Sequence, residues 1–320
     1  MKYLSLFTGI GGFEVAIHRV FGKKAVCVGY SEIDPHAIKT YQTHFPKHKN
    51  FGDITKIKAK QLPDFDLLVG GFPCQSFSIA GKRTGFKDPR GQMFFHIARI
   101  LRAKRPRRFL LENVAGILSH DEGATFRKII CEIEELGYCV EWQVLNSADY
   151  LPQHRTRIFI IGTLGKRSAG KVFPLSPIHP EDYGADRAKT RSGILTLYDG
   201  GHADRRIISP EGISPAILAT LKSIPKIAVT NSTNREFGWK TKYSPALTAS
   251  DGRGCKLVWN GTRVRKLTHV ECARLQGFPD TWCAGISDSQ AYRCYGNAVT
   301  VPVVQDVLRN MQQNNQRILK

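Results

Sequence analysis

The fold is decided by the stretch YLSLFTGIGGFEVAIHRVF, residues 3–21, in which a short apolar run leads through a glycine-rich turn into a helical pattern. Gly9, Gly11 and Gly12 stand in the turn, where missing side chains let a ligand approach the backbone amides at a helix N-terminus. Their spacing differs from the G-x-G-x-x-G of dinucleotide-binding folds. The stretch predicts a strand, a turn able to bind a ligand, and a helix.

Apolar runs and helical patterns go on alternating as far as residue 162, with runs such as AVCVGYSE, DLLVGG, RRFLLENV and RIFIIGTL. This succession of βαβ units predicts an α/β fold with a mainly parallel sheet and helices on both faces. From about 171 to 260 the chain is rich in Ser, Pro, Thr, Gly and basic residues, which favours short strands and exposed loops. We expect a second, smaller domain there that carries recognition.

Helical patterns return at THVECARLQG and after YGNAVTVPVV, so we expect the last helix to pack on the first domain. The predicted domains are therefore a discontinuous one of residues 1–172 and 291–320, and an inserted one of residues 173–290. Within the insertion, ISPAILAT (213–220) and YSPALTAS (243–250) are loose copies, which we interpret as edge elements at most.

The composition points to a polyanionic partner. The 320 residues carry 47 Lys and Arg against 27 Asp and Glu, a formal charge of +20. This favours nucleic acid over an anionic membrane, because no basic amphipathic helix stands out. No apolar stretch approaches the roughly 18 residues that span a bilayer, and MKYLSLF lacks the pattern of a signal peptide. We expect an intracellular protein, in the cytoplasm or nucleoid, with no membrane contact.

Eight cysteines include no C-x-x-C pair, so we expect neither a disulfide framework nor a metal site, and most should be reduced core residues. Cys74, in GGFPCQSFS (70–78), instead follows a predicted strand, at the edge where open α/β sheets bind ligands. A thiolate there is a candidate nucleophile, and packing is the alternative.

Carboxylates end neighbouring strands. Glu32 and Asp53 suit the hydroxyls of an adenosine-bearing cofactor, and a pair of surface carboxylates is the alternative. Glu112 suits a general acid, with a helix cap or a salt bridge as alternatives.

Eight ordered motifs go further: FTGIGGFE, SEID, GDIT, GGFPCQSFS, ENV, QHRTRIFIIG, RKLTHVECARLQGFPD and YGNAVTVPVV. Together they resemble the motif series of the DNA (cytosine-5) methyltransferase family, in its compact prokaryotic or viral form that often accompanies a restriction enzyme. The resemblance spans residues 3–162 and 262–310. It implies the Rossmann-like fold of methyltransferases that depend on S-adenosyl-L-methionine, together with a smaller, mostly irregular or β target-recognition domain.

The resemblance implies a cofactor site for S-adenosyl-L-methionine, which leaves as S-adenosyl-L-homocysteine. Its ribose hydroxyls would lie on Glu32 and its adenine beside Ile33, Asp53 and Ile54. The complete implied set is Phe7, Gly9, Gly11, Gly12, Glu32, Ile33, Asp53, Ile54, Pro73 and Asn297.

The resemblance also implies the catalytic residues. Cys74 would add to C6 of a cytosine flipped out of the duplex, and Glu112 would supply a proton at N3. Pro73 and Gln75 would shape the pocket beside the nucleophile, and Asn113 would hold the loop. Two further residues, Arg155 and Arg157, alternate in a presumed strand, so both should lie on one face and contact the cytosine carbonyl and a phosphate.

The expected partner is duplex DNA bound by a monomer, with a cognate restriction endonuclease as a functional partner. One alternative is RNA (tRNA) cytosine-5 methylation. The long region from about 171 to 255, which matches none of the motifs, favours DNA instead, because reading a duplex site needs a recognition module of that sort. The other is a catalytically silent DNA-binding homologue, which should lack catalytic residues that this sequence retains.

Overall fold

The computed structural model describes residues 1–73, 93–165, 172–175, 226–231, 234–240, 244–249, 257–259 and 264–318. The chain divides into two compact units. The first comprises Met1–Leu145, Thr156–Leu175 and Val303–Lys320, and the second comprises Asn146–Arg155 and Ser176–Pro302. The recognition role expected for residues 173–290, and the domain of 1–172 with 291–320, stay predictions.

A six-stranded sheet forms the centre of the first unit. The strands up to residue 164 are β1 Lys2–Leu6, β2 Val26–Ser31, β3 Leu67–Gly71, β4 Arg108–Val114, β5 Tyr138–Asn146, β6 Gln153–His154 and β7 Thr156–Leu164. The sheet has the order β2-β1-β3-β4-β7-β5, and β6 is not part of it. Strands β2, β1, β3 and β4 run parallel, whereas β7 runs antiparallel to β4. The predicted α/β fold with a mainly parallel sheet is confirmed.

Seven helices are described: α1 Gly12–Phe21, α2 Pro35–His44, α3 Met93–Lys104, α4 Ala124–Glu135, α5 His269–Gln276, α6 Asp288–Asn297 and α7 Val301–Ile318. Alternate residues of β1 face opposite ways. Leu4 and Leu6 join a core with residues of α3 and α4, such as Ile97 and Ile129. On the other face the Tyr3 hydroxyl lies 3.5 Å from Nε2 of His18 in α1. Helices therefore cover both faces, as the sequence predicts.

A close approach fixes one glycine at the centre of this sheet. In the β4–β7 pairing, Phe109 lies opposite Gly162. A Cβ on Gly162 would stand 1.9 Å from Cε1 of Phe109, so the aromatic ring occupies the place of a side chain. Glycine at this position lets a buried phenylalanine lie flat across the antiparallel pair.

The second unit contains an antiparallel sheet of β8 Lys226–Asn231, β9 Asn234–Lys240, β11 Leu257–Trp259 and β12 Val264–Lys266, in the order β12-β11-β8-β9. A separate short strand, β10 Ser244–Pro245, pairs in parallel with β6. Of the two similar segments, 213–220 lies outside the described residues. The other contributes β10, whose described partner is β6.

Helix α5 begins with a complete capping box. Thr268 accepts a hydrogen bond from the Glu271 amide at 3.2 Å, and Glu271 Oε2 accepts one from the Thr268 amide at 2.7 Å.

Within the described part of the chain, no helix combines the length and apolar character needed to cross a membrane.

Candidate active site

The four parallel strands of the first unit end along one edge of the sheet. Leu6 pairs with Ser31 and with Gly70, and Gly71 pairs with Glu112. The residues that follow each strand are therefore neighbours: the turn from Phe7, then Glu32 and Ile33, then Pro73. This register brings together most of the predicted residues of the first unit.

Glu32 ties the glycine turn to the end of β2. Its Oε2 accepts a hydrogen bond from the Gly9 amide at 2.8 Å. Its Oε1 accepts two more, from the amides of Ile33 at 2.8 Å and Asp34 at 2.9 Å. Three backbone donors hold the carboxylate in one orientation, with its charge stabilised by charge-assisted bonds.

The turn itself is open on the side of Gly9. Phe7 and Gly9 have φ angles of 52° and 58°. A Cβ on Gly9 would meet nothing within 4 Å, whereas one on Gly11 would stand 2.9 Å from the Phe45 ring. Gly11 is thus required for packing, a role that the sequence did not indicate. Gly12 begins α1 and is buried.

Ile33 exposes 69% of its surface next to Glu32, which makes it one of the few exposed large apolar residues among those described. An apolar surface beside a fixed carboxylate suits an adenosine-like ligand, which presents a flat base and ribose hydroxyls. The predicted contact of Ile33 with adenine stays a prediction.

The third predicted segment, Asp53 and Ile54, lies beside the end of β2, because the Ser31 hydroxyl donates to the Gly52 carbonyl at 2.6 Å. The Thr55 amide donates to Asp53 Oδ1 at 2.9 Å, and this bond lowers the pKa of Asp53. Ile54 is buried in the core and its carbonyl accepts from Arg99 at 2.8 Å. The predicted contacts of Asp53 and Ile54 with adenine stay predictions.

Glu112 and Arg157 form an ion pair from neighbouring strands. Arg157 Nε lies 3.0 Å from Glu112 Oε1, and both side chains are largely buried. Arg157 also donates to the Thr156 carbonyl at 2.8 Å. The structure brings these two predicted catalytic residues together, and their roles in catalysis stay predictions.

Asn113 holds the chain that leads to Cys74. It is buried, and its Nδ2 donates to the Phe72 carbonyl at 3.4 Å. Pro73 follows directly. Cys74 and Gln75 lie outside the described residues.

Arg155 and Arg157 have different partners in the structure, and the face that they were predicted to share stays a prediction. Strand β7 begins at Thr156, so Arg155 lies between β6 and β7. Its guanidinium is 3% exposed and donates to the carbonyls of Leu247 at 2.9 Å, Gly296 at 3.0 Å and Ala298 at 2.8 Å. These buried bonds set the direction of the guanidinium, and the predicted contact of Arg155 with cytosine stays a prediction.

Two residues of the second unit complete the predicted set and add to it. Asn297 ends α6 and is exposed, although Gly296 and Ala298 on either side are buried. Gln153, which the sequence interpretation omitted, is fully buried and bonds to the Leu247 amide and the Leu275 carbonyl. Its position at the head of QHRTR was the available signal.

Among the described residues, no cluster of His, Cys, Asp or Glu suits a metal.

Solved structures share this fold. The S. pombe Dnmt2 methyltransferase matches with a TM-score of 0.68 at 21% identity, covering 99% of each chain. The Entamoeba histolytica methyltransferase EhMeth matches with a TM-score of 0.65 at 17% identity, covering 98% of each chain. At these identities the likeness concerns the fold alone.

Sequence relatives carry the assignment further. The Type II methyltransferase M1.ScrFI of Lactococcus lactis subsp. cremoris is 39% identical over 317 residues, which cover 97% of this chain and 77% of the relative. M.NlaX of Neisseria lactamica, also a Type II methyltransferase, is 37% identical over 320 residues, which cover 97% and 96%. A family model described as C-5 cytosine-specific DNA methylase matches residues 1–313. The chain therefore belongs to the C-5 cytosine-specific DNA methylase family and is a DNA cytosine-5 methyltransferase.

Proposed function

We propose that this enzyme transfers the methyl group of S-adenosyl-L-methionine to C5 of a cytosine flipped out of a specific duplex DNA sequence, through a covalent bond between Cys74 and C6. The observation that carries the proposal is the common edge of the sheet. There the glycine turn, Glu32 and the end of β3 lie beside Glu112. A cofactor and a base held at that edge would meet between these groups.

The residues at the edge fit the cofactor. Gly9 leaves space where a side chain would stand, the Glu32 carboxylate is fixed for ribose hydroxyls, and Ile33 offers an apolar surface for adenine. Phe7, Asp53, the Ile54 backbone and Pro73 complete this side of the site. Asn297 is added by the family resemblance. When bound, the cofactor supplies an electrophilic methyl group and leaves as S-adenosyl-L-homocysteine.

Cys74 supplies the electron pair that cytosine lacks at C5. Its thiolate adds to C6, and the C5–C6 π electrons move through C4 towards N3. The adduct gives C5 enamine character, so C5 can accept a methyl group. Loss of the C5 proton to a base then restores the C5–C6 double bond as the S–C6 bond breaks to release the thiolate, and the proton on N3 returns to Glu112, which leaves neutral 5-methylcytosine. Gln75 is proposed to shape the pocket around this step.

Glu112 supplies the proton that N3 requires as charge develops there. Its ion pair with Arg157 at 3.0 Å holds the carboxyl group in place at the end of β4. Arg157 itself is proposed to contact the cytosine carbonyl and an adjacent phosphate. Asn113, through the Phe72 carbonyl, fixes the backbone two residues before the nucleophile.

Duplex DNA is the proposed substrate, bound in the cytoplasm or nucleoid by a monomer. A formal charge of +20 favours phosphate contacts, and the insertion within 173–290 is proposed to read the target. The named relatives are Type II methyltransferases, which supports a role beside a cognate restriction endonuclease.

The decisive experiment measures methyl transfer from labelled cofactor to duplex DNA, followed by bisulfite sequencing. We expect 5-methylcytosine at one recurrent sequence with the wild type, none with Cys74→Ser, and wild-type transfer with Cys131→Ser, which changes an exposed cysteine of α4. DNA containing 5-fluorocytosine should trap a covalent complex with the wild type and with Cys131→Ser, but not with Cys74→Ser.

Three outcomes would contradict the proposal. Full transfer by Cys74→Ser would show that Cys74 is not the nucleophile. Methylation of tRNA but not of DNA would establish the RNA alternative. Absence of a trapped complex despite active transfer removes the covalent adduct.

A further inference from the structure

A buried junction in the second unit joins three distant segments. Arg155 donates to the carbonyl of Leu247 and to those of Gly296 and Ala298, at 2.8 to 3.0 Å. Leu247 belongs to the segment 244–249, and the other two carbonyls flank Asn297. One guanidinium thus holds the segment 244–249 and the turn that carries a proposed cofactor residue.

Gln153 strengthens the same junction from the neighbouring strand. Its Oε1 accepts from the Leu247 amide at 2.9 Å, and its Nε2 donates to the Leu275 carbonyl at 2.7 Å. Both polar groups of Leu247 are therefore bound, one by Gln153 and one by Arg155. Because both side chains are almost completely buried, water does not compete for these bonds.

Gly296 closes the junction by direct backbone contact. A Cβ at this position would stand 2.3 Å from the carbonyl carbon and oxygen of Thr248, and 2.6 Å from the Ala249 amide nitrogen. Backbone atoms cannot move aside as a flexible side chain can. The segment 244–249 and the end of α6 therefore have one relative position, which Arg155 fixes.

Side chains at the two ends of the junction face outward. Thr248 and Ala249 are exposed beside buried Leu247, and Asn297 is exposed between buried Gly296 and Ala298. A displacement on one side changes the position of the other through the shared guanidinium. Buried bonds hold the backbone of the junction, and exposed side chains lie on each side of it.

We infer that Arg155 is a positioning residue that couples target recognition to cofactor binding, by holding the 244–249 segment and the Asn297 turn in one arrangement. The inference rests on the proposed function, since it takes Asn297 as a cofactor residue and 244–249 as part of the recognition region.

The test is a thermodynamic cycle. The dissociation constant of S-adenosyl-L-homocysteine is measured by calorimetry with and without target duplex, and that of the duplex with and without S-adenosyl-L-homocysteine. We expect each ligand to tighten the other by about 5- to 150-fold in the wild type, the usual range of such coupling. Arg155→Lys and Gly296→Ala should each reduce that factor to about one, because they loosen the junction from opposite sides.

The matched control is Arg274→Ala. Arg274 belongs to the same unit and binds Asp280 through Nε at 2.7 Å, apart from the junction. We expect it to lower stability and leave the coupling factor unchanged. For Arg155→Ala, millimolar guanidinium at non-denaturing concentration should restore coupling by binding the same three carbonyls, which a general loss of structure would not allow.

The outcomes separate the inference from the proposed function. If the wild type methylates DNA but shows no coupling, or if Arg155→Lys and Gly296→Ala keep it, the inference is wrong and the function stands. If the wild type methylates no DNA, the proposed function fails, and hydrogen exchange tests the junction directly. Arg155→Lys should then speed exchange at the amides of Leu247 and Ala298, and unchanged exchange would overturn the junction.

Discussion

Glu14 is a carboxyl group buried in the first turn of α1, directly behind the glycine turn. Both of its oxygens are buried, and burial raises its pKa to about 7. The hydroxyls of Ser5 and Tyr41 favour the charged form and offset burial only in part. A group of this kind makes folding itself sensitive to pH.

We predict that Glu14→Gln stabilises the protein above pH 7. The folded state binds this proton more tightly than the unfolded chain, so the contribution of Glu14 falls as pH rises from 4.5 and is lost above about 7. At about 1.36 kcal/mol per pKa unit the loss is about 3 kcal/mol. Urea unfolding at pH 5 to 8 measures this loss. If the free energy of unfolding changes with pH equally in the variant and the wild type, the prediction is wrong.

His48 should oppose this dependence. Burial lowers its pKa from 6.5 to about 4, so its contribution falls as pH drops through that interval. The two groups act in opposite directions between about pH 4.5 and 6.5. In Glu14→Gln the effect of His48 is no longer opposed by Glu14, and His18, whose pKa burial also lowers, acts in the same direction, so stability should rise with pH there.

Glu112→Gln tests the proposed acid at nearly constant shape. It removes the proton donor and the charge that faces Arg157 at 3.0 Å. We expect methyl transfer to fall by about 10²- to 10⁴-fold, while S-adenosyl-L-homocysteine binds within about twofold of wild type. Arg102→Ala, which breaks an exposed pair with Glu132 at 2.8 Å, is the control and should transfer normally. An active Glu112→Gln would exclude the acid role.

Among the elements, α5 and α6 differ in how they begin. Thr268 caps α5 with its side chain, whereas Ser287 stands at the same position of α6 without a side-chain cap bond. We predict that Thr268→Ala lowers the free energy of unfolding by about 1 kcal/mol, and that Ser287→Ala changes it by only a few tenths. Denaturant unfolding decides this, and equal losses would contradict it.

The sequence predicted most elements of the first unit, because apolar periodicity changes clearly from two to 3.6 between β1 and α1. It did not predict β5, although Val140, Trp142 and Val144 alternate with polar residues there. Since β5 lies at an edge of the sheet, Trp142 and Val144 stay exposed, and the run is less apolar than an interior strand. The antiparallel direction of β7 was missed with it.

Site residues followed the same division. Glu32 and Glu112 end strands, so the motif order alone places them at one edge. The bonds of Arg155 were not predicted because its partners, Leu247 and Gly296, lie 92 and 141 residues away. A contact at that separation leaves no trace in the local pattern of QHRTR.

At the scale of the whole molecule, charge should govern binding of DNA but not of the cofactor. With a formal charge of +20, we predict that duplex affinity falls by about 10³-fold between 50 and 200 mM salt if about six phosphates are contacted. S-adenosyl-L-homocysteine affinity should change little. Fluorescence anisotropy and calorimetry over that range measure both. A flat response for DNA would show that phosphates contribute little.

Gly296 also sets where the segments that we propose to read DNA can be exchanged between relatives. Arg155, Gln153 and Gly296 contact backbone atoms of residues 247–249. These contacts place no requirement on the side chains of a grafted segment. A graft that stops before Ser244 keeps the host backbone against Gly296. One that extends further must follow the same path. A graft made to change the target should therefore end before residue 244, which lies well inside the boundary near residue 260 that composition suggests.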